Sequence, residues 1–246
     1  MTRYSLYQVM FYRNNLLTHS KRVYWIIKEI SPLALKTYGE EFNAHKTALL
    51  GLIHDDPEMI IGDIQSGNKM KMSAEELEQI SQNELKAIDK LAKRFPKELD
   101  GYSYRDLLLE ALGKETLEAQ LVDFADKLDA FGEALHEMYG GNTVITENVV
   151  NQYGTIPVPF QQYIPYLTDF PNKFPMTKKL FTTTVSIFSP PEELDYKAIA
   201  KHSHPHTADS IRQKTGYLHY DFWREVTLKN ASEEEIKKLH AQKEFL

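Results

Sequence analysis

The chain has 246 residues, of which 42% are apolar and 26% charged. That balance excludes the composition of a disordered protein and allows a substantial core. A formal charge of -6 gives no field for coating nucleic acid, so a phosphorylated substrate would have to find its cations locally.

The absence of cysteine removes disulfides, thiolate ligands and a cysteine nucleophile, and fits a reducing compartment. The opening stretch MTRYSLYQVMFYRNN lacks an uninterrupted apolar segment followed by a small-residue cleavage site. Nowhere do about 18 apolar residues run together. Neither a secretion signal nor a spanning helix is expected, and a cytoplasmic location is.

From His19 to about Ile30, the residues Val23, Ile26, Ile27 and Ile30 recur at helical spacing, and Ser31-Pro32 is expected to interrupt the pattern. Asn43 can cap the next helix, whose apolar run Ala48, Leu49, Leu50, Leu52, Ile53 suits the centre of a bundle. Asp55, Asp56 and Pro57 follow. Proline disfavours helical geometry in the residue before it, so His54 and Asp55 should stand at the exit of a buried helix. Gly62 to Ser73, with Gly67, Asn68, Lys69 and Lys71, reads as a loop. Ser73 and Glu76 look like a capping box opening a helix carried by Leu77, Ile80, Leu85, Ile88 and Leu91. A long helical pattern from about Lys114 to Met138 stops at Gly140-Gly141.

After residue 141 the texture changes. Pro157, Pro159, Pro165 and Pro171, set among aromatics, suggest irregular chain or short helices packed on the bundle. TTTVSIF at 182–188 is strand-like in its β-branched content, though short. Helical patterns return over Glu192 to Lys201, Thr207 to Lys214 and Tyr220 to Lys229, and a charged, solvated helix starts at Ser232. The expected organisation is a core over 1–141 with an extension, 142–246, packed on it as part of one globular unit.

His19, His54, Asp55 and Asp126 each fall in or at the end of an expected helix. Two imidazoles and two carboxylates form a nitrogen–oxygen donor set suited to a first-row divalent ion. On that chemistry alone, satisfied polar groups inside helices are an equally good account. His202, His204 and His206, in KHSHPHT, are better read as a polar turn or helix start than as a second metal site, since no carboxylate lies within the cluster. Tyr217, His219, Tyr220, Phe222 and Trp223 suit a packing helix or a dimer surface more than a base-stacking platform, because their flanking charges are mixed. His45 and His136 read as surface or packing residues. A phosphate loop, a G-x-S-x-G elbow and an H-E-x-x-H helix are absent from the sequence.

Three strings sharpen the donor set. LLTHS at 16–20, ALLGLIHDDPEMIIGD at 48–63 and LVDFADKLDAF at 121–131 resemble the HD superfamily of metal-dependent phosphohydrolases. The closer resemblance is to the bacterial YfbR-like 5'-deoxyribonucleotidases, and it covers roughly residues 10–140. It implies an all-α, HD-domain-like helical bundle, here with a partly irregular C-terminal extension. It also implies one divalent ion (Co, Mn, Fe, Ni, Mg or Zn) on His19, His54, Asp55 and Asp126, the A-D-x-L context selecting Asp126 over Asp123 and Asp129.

The activity so implied is hydrolysis of a nucleoside 5'-monophosphate by a metal-activated water. Glu58 would position that water or protonate the leaving oxygen, and Asp63 would touch the sugar or support the site. Ligating imidazoles need an acceptor for their second nitrogen, and Asp56 is one candidate. The family's phosphate-contacting Arg has no clear counterpart. Arg3 and Arg13 are the choices, with Arg13 preferred, while Lys69 and Lys71 could also face the substrate. The implied partners are a small phosphorylated molecule and a second copy of the chain, with no membrane and no nucleic-acid polymer.

Two alternatives stand beside this reading. Another HD-type hydrolase acting on cyclic or polyphosphorylated nucleotides would need more basic groups than are evident. A non-catalytic nucleotide-sensing or interaction protein would leave four polar groups buried without an ion, which is costly.

Overall fold

A computed structural model of the chain describes residues 10–12, 14–64, 66–183, 187–191, 195, 199, 207 and 209–240. Arg3, Arg13, His202, His204 and His206 lie outside the described residues, as does nearly all of the helix expected over 192–201.

Helix α1 (Leu16–Tyr38) opens where the Asn15 side chain accepts the Thr18 amide at 2.9 Å, and it buries Val23, Ile26, Ile27, Ile30 and Ala34. The expected break at Pro32 does not occur. Pro32 lies on the exposed side together with Lys28, so the carbonyl that loses its amide partner faces solvent. On the buried side, the Ser31 hydroxyl donates to the Ile27 carbonyl at 2.6 Å. Helix α2 (Ala44–Ile53) is capped by Asn43, which accepts the Lys46 amide at 2.9 Å, and it packs along α1.

The stretch expected as a loop holds two single turns, α3 (Glu58–Ile61) and α4 (Ser66–Lys69). Helix α5 (Ala74–Leu91) starts on the capping box: Ser73 Oγ accepts from the Glu76 amide, and the Ser73 amide donates to the Glu76 carboxylate at 2.8 Å. Two short strands, β1 (Glu98–Leu99) and β2 (Tyr102–Ser103), pair antiparallel and lead into α6 (Tyr104–Gly113). Helix α7 (Leu117–Tyr139), capped by Thr116, is the centre of the molecule, with every residue buried except Lys127 and Tyr139. It is flanked by α1, α2 and α6.

A second antiparallel hairpin, β3 (Val149–Asn151) and β4 (Gly154–Ile156), precedes α8 (Pro159–Thr168), α9 (Phe170–Lys173) and α10 (Lys178–Thr183). The strand suggested by TTTVSIF is absent where that segment is described, since Thr182 and Thr183 close α10 instead. Leu180 anchors α10 in the core, and the Thr182 hydroxyl donates back to the Lys178 carbonyl at 3.1 Å. Packing and local hydrogen bonding thus overrule β-branched propensity. Of the helix expected over 207–214, the described residues show a single 3-10 turn, Ser210–Arg212. Helices α11 (Leu218–Asn230) and α12 (Glu233–His240) close the described chain.

Segments beyond residue 141 share the core of the first half. Phe124 of α7 has its ring centre 5.4 Å from that of Phe170 and 5.1 Å from that of Phe188. On the other flank of α7, the aromatic run of α11 packs inward, with Tyr220 and Trp223 buried against His136. The observed architecture is all-α, with small hairpins and less regular chain toward the C-terminus. No helix among the described residues is long and apolar enough to cross a membrane.

Candidate metal centre

Three helices deliver the donor groups. His19 sits in the first turn of α1, His54 caps the C-terminal end of α2, and Asp126 projects from the middle of α7. Asp55 follows His54 in the turn that Pro57 forces. The amides of Asp56 and Glu58 bond the carbonyls of Ile53 and Asp55 there, so the dyad is held on a rigid corner.

The four side chains meet. His19 Nε2 is 3.2 Å from Asp55 Oδ2 and 3.2 Å from Asp126 Oδ1, and His54 Nε2 is 3.4 Å from Asp55 Oδ1. Ligand atoms of His19, His54 and Asp126 all lie within 4.8 Å of one another.

Hydrogen bonds on the far side of each ring set the tautomers. His54 Nδ1 is 3.0 Å from the Gly51 carbonyl, and His19 Nδ1 is 2.7 Å from Asp129 Oδ2. Both oxygens only accept, so each Nδ1 donates, and a neutral ring then turns the lone pair of Nε2 toward the carboxylates. His54 Nε2 is buried with no hydrogen-bond partner among the described residues. Lone pairs and carboxylates converging on one point repel each other unless a cation lies between them. The residues present therefore fit a divalent ion with nitrogen and oxygen ligands.

Asp126 is held ionised. Burial alone would raise the Asp126 carboxyl, but the Lys127 ammonium beside it outweighs that cost and holds it well below the usual carboxylate range. Asp55 is lowered despite its burial only when His54 and His19 are protonated, their charge then standing where a bound cation would.

Asp56 does not orient either ring, contrary to expectation. It accepts the Tyr104 hydroxyl at 2.7 Å, because the turn after α2 carries it toward α6. The acceptors are the Gly51 carbonyl and Asp129. The latter also takes Arg22 Nε and Trp223 Nε1, each at 2.7 Å. Arg22 is fully buried. Burial works against its charge, yet Asp129 and Glu133 more than compensate and raise its pKa.

A cavity of about 850 Å³ opens from the cluster, with His54, Asp55 and Asp126 in its wall. Glu58 and Asp63 line it, as does Lys69, whose ammonium lies 3.3 Å from Glu84. The lining is completed by residues of α8 and α9 and by Lys114, Asp123 and Lys127. Lys127 pairs with Asp126, and Asp123 accepts from both Lys114 and the Tyr166 hydroxyl.

Sequence reasoning missed Arg22, Lys127, Asp129 and Tyr166. One signal was available: Arg22 and Asp129 stand three residues after His19 and Asp126, so they share their helix faces. The two remaining histidines noted on helical segments serve packing or the surface. His136 is buried between Tyr220 and the Leu239 carbonyl, while His45 is exposed beside Asp100.

A helical bundle that brings two histidines and two carboxylates together, three of the four in the wall of a cavity and His19 buried behind them, is the architecture of an HD-domain, metal-dependent hydrolase. More particularly, residues 1–159 match the family described as 5'-deoxynucleotidase YfbR-like, and the chain belongs to that family. It is 28% identical over 128 residues to a 5'-deoxynucleotidase of Vibrio vulnificus, a match covering 52% of this chain and 64% of the relative. To the 5'-deoxynucleotidase YfbR of Escherichia coli and that of Shigella boydii it is 30% identical over 131 residues, covering 52% of this chain and 63% of each relative. The chain thus spans less than two thirds of the length of these relatives. No solved structure matches the chain significantly.

Proposed function

We propose that the chain is a metal-dependent phosphomonoesterase acting on a nucleoside 5'-monophosphate, with His19, His54, Asp55 and Asp126 as ligands of one divalent ion. The observation that carries this is the meeting of two tautomer-fixed imidazoles with two carboxylates beside a cavity of about 850 Å³, whose wall includes His54, Asp55 and Asp126. Family membership supports the same class of chemistry.

A Co, Mn, Fe, Ni, Mg or Zn ion bound there would supply positive charge for the phosphate and lower the pKa of an attacking water. Glu58, one turn past the dyad, would hold that water in line or deliver a proton to the leaving oxygen. Asp63 would accept from a sugar hydroxyl. Lys69 would share its charge between Glu84 and the phosphate, and Arg13, which lies outside the described residues, would be a second phosphate contact. A cytoplasmic, homodimeric enzyme completes the proposal, and light scattering on the eluting protein tests the dimer.

The decisive measurement is phosphate release from a panel of nucleoside 5'-monophosphates, using metal-stripped protein reloaded with each divalent ion. Wild type should turn over only when loaded. Asp126→Asn should retain less than about 1% of that activity, since even residues behind the ligands change metal affinity or activity about 10–100-fold. Turnover by Asp126→Asn comparable to wild type would remove Asp126 from the ligand set. Metal binding without hydrolysis of any monophosphate would leave the centre in place and overturn the substrate class.

A further inference from the structure

Part of the cavity wall is built by a segment the family match does not reach. Tyr163, Tyr166, Asp169 and Lys173 follow residue 159, the last of the matched stretch, and all four line the cavity. Tyr166 is held in place: its hydroxyl donates to Asp123 at 2.7 Å, and the ammonium groups of Lys173 and Lys127 lie 4.2 and 5.9 Å from the centre of its ring. Lys127 in turn pairs with Asp126. The Tyr166 platform is therefore one side chain away from the metal cluster.

The cations of this cavity are not equivalent. Lys69 is engaged by Glu84, Lys114 by Asp123 and Lys127 by Asp126. Lys173 has no carboxylate partner among the described residues and rests on the Tyr166 ring. It is the one lysine of the cavity wall whose ammonium can donate to an incoming group without releasing an acid. Asp169, one turn earlier on the same wall, leaves this end close to neutral. A near-neutral wall selects a neutral, acceptor-bearing group over a second phosphate. Leu108, Leu112, Val122 and Pro165 add apolar surface against which a flat ring can lie.

We propose that Tyr166 and Lys173 form the base-recognition subsite of this pocket, Lys173 donating to a carbonyl oxygen or ring nitrogen of a nucleobase whose phosphate reaches the His19–Asp126 cluster. This rests on the nucleotide reading above. It adds that preference among nucleotides is set by the C-terminal segment and not by the HD-type core.

The test compares kcat/KM for nucleoside 5'-monophosphates with that for 2-deoxyribose 5-phosphate, which carries the phosphate and sugar without the base. Lys173→Met should lower the ratio of the two about 10-fold, as expected for a lost hydrogen bond from a charged donor, and Lys173→Arg should restore most of it. Tyr166→Leu should lower the ratio likewise. A ratio unmoved by both variants overturns the proposal. So does Lys173-dependent preference for a nucleoside 3',5'-bisphosphate, which would make the group recognised an anion.

Calorimetry with unphosphorylated nucleosides on metal-free protein separates the two claims. If wild type hydrolyses none of these phosphates, the phosphatase reading falls, and nucleoside binding alone decides the subsite. Binding weakened about 10-fold by Lys173→Met upholds it, and absence of nucleoside binding to wild type overturns it.

Discussion

Asp129 is the residue on which the candidate centre turns, although it faces away from the cluster. Its carboxylate accepts from His19 Nδ1, from Arg22 through two nitrogens, and from Trp223 Nε1, all within a fully buried site. An asparagine would offer one acceptor oxygen and two donors to neighbours that are themselves donors. Asp129→Asn should therefore cost on the order of 3 kcal/mol in chemical denaturation, the loss typical of breaking a buried ion pair. It should also weaken divalent-ion affinity about 10–100-fold by calorimetric titration, because His19 loses the group that fixes its ring. An unchanged affinity would mean that α1 packing alone orients His19. The histidines and Asp126 were legible in the sequence because short strings carry them. Asp129 was not. An aspartate three residues after another on a helix is an ordinary pattern, and its partners Arg22 and Trp223, 107 and 94 residues distant, become neighbours only through packing.

At the level of the element, α7 couples the centre to the rest of the bundle. A Cβ added at Gly132 would fall 2.2–2.6 Å from the indole ring of Trp223, so the absence of a side chain there is what lets α11 approach. Gly132→Ala pits two effects against each other. Helix propensity would gain about 1 kcal/mol, while overpacking against a buried ring costs roughly 1–3 kcal/mol. With the clash directed at a ring that also bonds Asp129, the second should win, and thermal denaturation should show a lowered Tm. A raised Tm would mean that Trp223 can move aside. A milder loss of about 1 kcal/mol is expected for Ser73→Ala, which removes the cap of α5. Elements with such local signatures were legible: the Asn43 cap, the Ser73–Glu76 box, the stop at Gly140-Gly141. Pro32 and the threonine run at 182–184 misled, because solvent exposure of one carbonyl and the burial of Leu180 are decided by neighbours outside the window read. The C-terminal half has few periodic runs, so although it could be expected to reshape or cover the pocket, which of its residues wall the cavity could be read only from the fold.

Over the whole molecule, the last helix is fastened back onto the first. Lys21 donates to Glu235 at 2.8 Å, and Lys229 reaches Glu29, so both α11 and α12 close on the helix that carries His19. The Lys21 hydrogen bond, and then the amide of Ser232, push the Glu235 carboxyl down to about 2 from its ordinary 4.5. Because the folded value is the lower one, ionised Glu235 favours the folded state. That contribution is complete above about pH 4.5 and is lost as the pH falls toward 2. Carboxyl carbon shifts of Glu235 should titrate near 2 in wild type and return to the ordinary range in Lys21→Met. A wild-type midpoint near 4.5 would mean that the fastening is absent in solution. The helix at the middle of this arrangement has almost no wet surface, and that has a historical consequence. A substitution on α7 is felt on the cavity side and the α11 side together, so few single steps leave the protein as it was. Change there should proceed by paired replacements, Gly132 with Trp223 or Asp129 with Arg22, each pair departing from additivity by more than about 0.5 kcal/mol. In the descent of this chain α7 would be the slow clock, and the exposed surface of α5 the fast one.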